Sequence, residues 1–191
     1  MKKSIPVLAI VLIIAGIIVL AIAGIFGSTY NKLQVKDEDV NQAWAQVENT
    51  MQRRADLIPN LVETVKGYAK HEEDVFTKVT EARSAVQSAK TPGEYAAANE
   101  QMNEAIRNIN VVAEAYPDLK ANESFQNLQA ELAGTENRIA VERKRYNEKV
   151  ADFNKAVKHF PTNLVAKMLG FGPREYFQLA EGADKVPTVK F

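Results

Sequence analysis

The chain has 191 residues, of which 24 are Lys or Arg and 24 are Asp or Glu, so its formal net charge is zero. That balance argues against a nucleic-acid-binding protein, which would need a basic field over its surface. The absence of cysteine excludes thiol catalysis, disulfides, iron–sulfur clusters and cysteine-ligated zinc. Since the sequence also has only two histidines, we expect no metal site and no cofactor.

The first part of the chain contains a long uncharged run. Residues 5–27 carry no charge and are mostly aliphatic, and Lys2 and Lys3 precede them. As a helix this run would be about 35 Å long, enough to cross a hydrocarbon core of about 30 Å. We therefore predict a transmembrane anchor in residues 1–29 that contacts the lipid bilayer through residues 5–27. A cleaved signal peptide is the alternative, since residues 21–23 read Ala-Ile-Ala, an A-x-A cleavage pattern.

The remainder of the chain has the pattern of amphipathic helices. Apolar residues recur at spacings of three and four in four stripes, over residues 40–58, 61–86, 95–116 and 125–160. We predict an all-α fold in which the transmembrane helix is followed by an up-and-down, antiparallel four-helix bundle with long helices. The bundle would occupy residues 30–160, and residues 161–191 would form a C-terminal amphipathic segment and tail.

Local sequence signals set several of the predicted boundaries. Thr91-Pro92-Gly93-Glu94 is a capping box with proline at the first helical position, which predicts a helix beginning at Pro92. That helix should end at Tyr116, because the residue before a proline is pushed out of the α region. Asn122 or Ser124 can cap the last long helix.

Pro59 lies where the first two apolar stripes meet. We predict that the chain reverses there, because a reversal would bury the apolar residues around it between two helices; these are Leu57, Ile58, Leu61, Val62 and Val65. The polar residues of the same segment would then form an exposed corner that binds a partner: Arg53, Arg54, Asp56, Asn60 and Glu63. In the alternative, an extended three-helix coiled coil, Pro59 only kinks one long helix.

No arrangement typical of catalysis is evident. His71-Glu72-Glu73 lacks the second histidine of a zinc protease, because position 75 is valine. We therefore expect no catalytic residues and no enzymatic activity. The opposing hypothesis is an enzyme built on Arg53, Arg54, Asp56, His71 and Glu72, and it requires these side chains to converge on one pocket.

An apolar segment follows the last long helix. It contains Phe160, Leu164, Met168, Leu169 and Phe171 among the basic residues Lys158, Lys167 and Arg174. A short helix that is apolar on one side with basic flanks suits a membrane interface or a protein groove. The alternative is a segment that folds back on the bundle.

Several long runs resemble the LemA family. They are Tyr30-Asn31, Ala43-Trp44 and residues 52–69, 116–122, 134–140 and 171–175. The resemblance implies an N-terminal anchor followed by an up-and-down four-helix bundle, with a break at Pro59, and it brings no established enzymatic activity. An anchor, a bundle and no catalytic arrangement together favour a scaffold or self-assembling protein of the bacterial cytoplasmic membrane, single-pass. The order of the two lysines and then the apolar run favours a soluble domain on the outer face.

We accordingly expect the partners to be the bilayer and either a second copy of the chain or an envelope protein, and no nucleic acid. A membrane-remodelling oligomer that uses the segment from Phe160 to Phe171 is the alternative function.

Overall fold

The computed structural model describes residues 7–178, and the parts of the predicted anchor and tail that fall in residues 1–6 and 179–191 lie outside this range. Within it the chain forms six α-helices and no strand. The helices are α1 (Val7–Lys66), α2 (Glu73–Ser88), α3 (Pro92–Ala115), α4 (Pro117–Lys120), α5 (Glu123–Lys158) and α6 (Thr162–Leu169). The predicted all-α class is confirmed, whereas the number of helices exceeds the prediction.

The chain divides into two compact units. Described residues 7–41 and Lys149–Arg174 form the first, which we call the anchor unit. Gln42–Glu148 and described residues 175–178 form the second, which we call the helical unit. Both α1 and α5 therefore contribute residues to each unit.

The N-terminal part of α1 is long and apolar enough to cross a membrane. Its large side chains from Ile10 to Ile25 are exposed, so no described part of the chain covers them. Further along the anchor unit, α1 packs against α5 through a core of buried apolar residues: Leu33, Val40, Val150, Phe153 and Val157. Ion pairs border this core, such as the one between Lys149 and Asp39 at 2.8 Å.

The helical unit buries apolar residues from α1, α2, α3 and α5. Its most deeply buried side chains include Val47, Met51, Ile58, Val79, Met102, Ile109 and Ile139. The helix α2 packs against α3, and the ammonium of Lys66 on α1 lies 5.5 Å from the ring centre of Phe76 on α2. Spacings of three and four along each helix place these residues on one face.

The chain does not reverse at Pro59, so that prediction is wrong. The helix α1 continues through Pro59 to Lys66, and Pro59 is exposed. The flanking residues Ile58, Leu61, Val62 and Val65 are all buried. Because their spacing already places them on one helical face, a continuous helix buries them without a reversal. The one missing backbone donor therefore does not end the helix.

The helix ends instead at Lys66, just before Gly67. The backbone amides of Tyr68 and Ala69 both donate to the carbonyl oxygen of Val65, at 3.0 and 2.9 Å. Ala69 is fully buried, which fixes the start of the connection to α2.

The predicted caps of α3 and α5 are present. The hydroxyl of Thr91 accepts from the backbone amide of Glu94, and the Glu94 carboxylate accepts from the amide of Thr91, so the capping box is complete. The side-chain oxygen of Asn122 accepts from the amide of Phe125 at 3.0 Å. These caps satisfy amides at the first turn that have no partner inside the helix.

Replacing Pro59 by alanine tests the continuous helix. We expect Pro59→Ala to raise the free energy of unfolding by about 1–3 kcal/mol, because alanine restores a backbone donor in the middle of a helix. Urea denaturation of the full chain in detergent, followed by the fluorescence of Trp44, the single tryptophan, measures it. Pro92→Ala is the matched control and should give no gain, because proline suits the first turn of α3. A loss of stability in Pro59→Ala would contradict the assignment.

Candidate functional site

A broad groove lies between α1 and α5 in the helical unit, with a volume of about 730 Å³. Most of the residues that line it are polar. From α1 the lining comprises Gln46, Asn49, Thr50 and Arg53, and from α5 Gly134, Asn137, Arg138, Val141, Glu142 and Arg145. Amide, hydroxyl and guanidinium groups of this kind hydrogen-bond to partners of either polarity.

The groove has a positive balance of charge, since its walls carry three arginines and one glutamate. The guanidinium of Arg53 pairs with Glu131 at 2.9 Å, and that of Arg145 pairs with Glu142 at 2.9 Å. Within the described part of the chain Arg138 forms no ion pair. Its guanidinium is therefore the cation of the groove that is available to a carboxylate from outside.

Gly134 leaves one side of the groove open. A Cβ atom built on Gly134 meets no atom within 4 Å, so neither packing nor backbone conformation requires glycine there. Glycine inside a helix costs about 1 kcal/mol relative to alanine. The side chain that is missing at this position leaves room in the groove.

Arg54 occupies a different position and is only 5% exposed. One terminal nitrogen, Nη1, donates to Asn99 at 2.9 Å and pairs with Glu136; the other, Nη2, donates to Asn103 at 2.7 Å. The third nitrogen, Nε, is buried without a hydrogen-bond partner among the described residues. Arg54 therefore ties α1 to α3 and α5 from inside the helical unit.

Burial lowers the pKa of the Arg54 guanidinium, and the attraction of Glu136 opposes this change. Burial also lowers the pKa of Arg143, again opposed by Glu136. The guanidinium of Arg143 lies 4.7 Å from the ring centre of Phe177, a cation–π contact.

An aromatic cluster surrounds Trp44. Its ring centre is 5.3 Å from that of Tyr95, 5.1 Å from that of Tyr146 and 6.3 Å from that of Phe177. The side chain of Trp44 is half-buried among these rings. Phe177 is a residue that the sequence reasoning missed. It lies after the last helix, where no helical periodicity marks it as buried.

The predicted partner-binding corner does not exist as a corner. Arg53, Asp56, Asn60 and Glu63 are exposed along the continuous helix, whereas Arg54 is buried. The prediction that Arg54 would lie at an exposed reversal is wrong, because the helix turns it toward α3 and α5. Whether the exposed residues bind a partner stays a prediction. Of the five, only Arg53 lines the groove.

The residues of the enzyme hypothesis are separated along the fold. His71 is exposed, and Glu72 accepts a hydrogen bond of 3.4 Å from the hydroxyl of Tyr116. Both residues lie beyond Lys66, the last residue of α1. Lys66 is about 18 Å from Arg54 along the helix axis. In the described range, residues 7–178, no group of three or more His, Asp or Glu side chains could hold a metal ion.

The apolar segment after α5 has two faces. Phe160, Leu164, Met168 and Leu169 are exposed, and Phe171 is half-buried against Phe153, with their ring centres 6.3 Å apart. Val165 and Ala166, which also belong to α6, are buried. Both faces belong to the anchor unit.

Comparison with known proteins gives two kinds of match. A model described as the LemA family matches residues 43–191. The chain is also 25% identical to magnetosome protein MamQ 2 of Paramagnetospirillum magneticum over 181 residues, covering 81% of this chain and 66% of that protein. It is 26% identical to protein LemA of Metamycoplasma hominis over 163 residues, covering 83% of this chain and 74% of that one. The chain thus spans about two thirds, 66%, of the length of the MamQ protein.

Removing the guanidinium of Arg54 should destabilise the helical unit. We expect Arg54→Leu to lower the free energy of unfolding by about 2–4 kcal/mol, because the Asn99 and Asn103 oxygens lose their donor and Glu136 loses its ion pair. Urea denaturation in detergent, followed by Trp44 fluorescence, measures the change.

Arg53→Leu is the matched control for that variant. Its ion pair with Glu131 is exposed to solvent, so its loss should cost less than about 1 kcal/mol. Equal losses from the two variants would contradict a structural role for Arg54.

Proposed function

Because this chain belongs to the LemA family, we propose that it is a non-catalytic, single-pass scaffold of the bacterial cytoplasmic membrane that binds a protein partner in the groove of its helical unit. The observation that carries the proposal is the groove itself, which is open, polar and rich in arginine. It lies partly on α1, the helix that also contains the apolar run.

The apolar part of α1 supports a retained anchor. Its exposed aliphatic side chains form a larger apolar surface than soluble proteins leave uncovered. A bilayer covers such a surface, and a helix satisfies every backbone polar group inside it. The helix also continues unbroken past the Ala-Ile-Ala sequence at residues 21–23, which favours an anchor over a cleaved signal peptide.

The helical unit supports the up-and-down bundle as its architecture. The connections 67–72 and 89–91 are short, so α1, α2 and α3 are most simply alternating in direction. The helices α1 and α5 are antiparallel, because Arg54 in α1 pairs with Glu136 in α5, whereas Tyr68, just after α1, bonds with Asn122, just before α5.

The groove best fits an α-helical segment that carries exposed carboxylates. A groove between two helices accepts a third helix along its length. Arg138 offers an unpaired cation to the partner, and Asn49 and Asn137 offer hydrogen bonds. We assign this helix to another envelope protein, and a second copy of the chain is the competing occupant that the test distinguishes.

Filling the groove at Gly134 tests the proposal without disturbing the fold. A photo-crosslinking amino acid at Asn137 in the full chain should give a discrete adduct in cells. Gly134→Leu should abolish the adduct, because its side chain projects into the groove. Arg138→Glu should abolish it as well, since it reverses the unpaired charge. Gly134→Ala is the matched control and should retain it, and both glycine variants should be at least as stable as the wild type.

The size of the adduct separates the outcomes. An adduct with the mass of two copies would identify the partner as a second copy of the chain and not as another envelope protein. The proposal would be wrong if the adduct survives in both Gly134→Leu and Arg138→Glu, or if a crosslinker at Val111, on α3 outside the groove, gives the same adduct.

The sidedness of the membrane has its own test. The chain has no native cysteine, so one introduced cysteine reports its position. We expect Val111→Cys, 71% exposed, to react with a membrane-impermeant maleimide in intact cells. Ile18→Cys, inside the apolar run, is the control and should stay unlabelled. Labelling of Val111→Cys only after lysis would place the helical unit on the cytoplasmic side.

A further inference from the structure

The anchor unit exposes an apolar surface on and beside α6. Phe160 is 78% exposed, Leu164 55% and Met168 75%. Leu164 and Met168 are four apart on α6 and therefore lie on one face of it, and Phe160 lies just before that helix. We infer that this surface is a second membrane contact, inserted at the boundary between lipid headgroups and acyl chains where α1 leaves the bilayer.

A contact between aromatic rings shows which part of α1 lies beside this segment. The ring centre of Phe171 lies 6.3 Å from that of Tyr30. Tyr30 comes three residues after Gly27, the end of the apolar run, which is about 4.5 Å along the helix axis. The headgroup layer on each side of a bilayer is at least that thick, and tyrosine is enriched there. The end of the α6 segment therefore lies at the level of the headgroups.

The course of α5 places the beginning of the segment at a similar level. Lys149 pairs with Asp39 at 2.8 Å, and α5 runs antiparallel to α1. Nine residues further, Lys158 at the end of α5 is therefore level with about residue 30 of α1, since both helices rise equally per residue. Phe160 lies two residues after Lys158. Both ends of the segment thus meet the membrane boundary.

Polar contacts hold the segment in place. The guanidinium of Arg174 forms two hydrogen bonds of 2.9 Å with the carboxylate of Asp37 on α1. The side chain of Asn154 on α5 bonds both the amide and the carbonyl oxygen of Arg174, at 2.7 and 2.9 Å. Gly170 ends α6 with a φ of 77°, a conformation that favours glycine, and Phe171 then donates to Ala166 at 3.0 Å.

The charges near the surface suit a membrane with anionic lipids. Lys158 and Lys167 are exposed on the segment. Lys32 is exposed on α1, five residues after Gly27, where the apolar run ends. Lysine side chains beside an inserted apolar face keep their charge among the headgroups. This arrangement favours the bilayer over a second copy of the chain as the occupant, because a copy would bring the same positive charges to the contact.

Fluorescence quenching by lipids measures the contact in the full chain. Single cysteines at Leu164 and Met168 carry an environment-sensitive fluorophore, and the protein is reconstituted in vesicles of phosphatidylcholine and phosphatidylglycerol. Lipids brominated near the headgroup end of the acyl chain should quench both probes severalfold more than a probe at Val35. Val35 is an exposed apolar residue of the same unit, about 12 Å beyond Gly27 on α1, and is the matched control. A probe at Ile25 is the positive control.

The outcomes separate the occupants of the surface. Quenching at Leu164 and Met168 no stronger than at Val35 overturns the inference. Emission that changes on dilution with unlabelled protein, but not with brominated lipid, also overturns it and assigns the surface to a second copy. The experiment does not involve the groove, so its failure leaves the proposed partner site standing.

Discussion

An apolar run of this length can enter a bilayer only as a helix, because hydrocarbon offers no partner to the backbone N–H and C=O groups. In this chain the helix does not end with the apolar run but continues to Lys66, so residues of one element belong to both compact units. Once α1 is continuous, its buried stripe decides which residues face α3 and α5. Pro59 lies on the exposed side, where a missing donor is least costly, and Arg54 lies on the buried side.

The buried Arg54 helps to determine which helices pack against α1. Burying a charged group is unfavourable unless polar partners surround it, and here Asn99, Asn103 and Glu136 come from two other helices. These three contacts join α1 to both α3 and α5. The ion pair between Arg54 and Glu136 also joins two runs that resemble the LemA family, residues 52–69 and 134–140. A hydrogen bond of 2.9 Å between Asn122 and Tyr68 joins the first of these to a third run. Residues from three of these runs therefore contact one another inside the fold.

The sequence predicted well where the cause is local. The start of α3 and the cap of α5 depend on side chains within four residues, and both are present. It failed at Pro59, because proline is a local helix breaker, yet a continuous helix buries the common face of Ile58, Leu61 and Val65 equally well. The burial of Arg54 depends on residues 45 to 82 positions away, and no local pattern records them. Phe177 lies in a segment without regular secondary structure, where burial has no period to reveal it.

The two surfaces that remain exposed differ in chemistry, and this difference assigns them to different occupants. The groove presents guanidinium and amide groups, which hydrogen-bond in water and would be costly inside hydrocarbon. The surface of Phe160, Leu164 and Met168 presents no polar group of its own, and in water it would invite association. The ring of Phe171, at the end of the same segment, lies 6.3 Å from that of Tyr30, so this surface is close to the end of the apolar run of α1. A protein with one membrane helix can still rotate and tilt about it, whereas a second membrane contact beside that helix would restrict both motions.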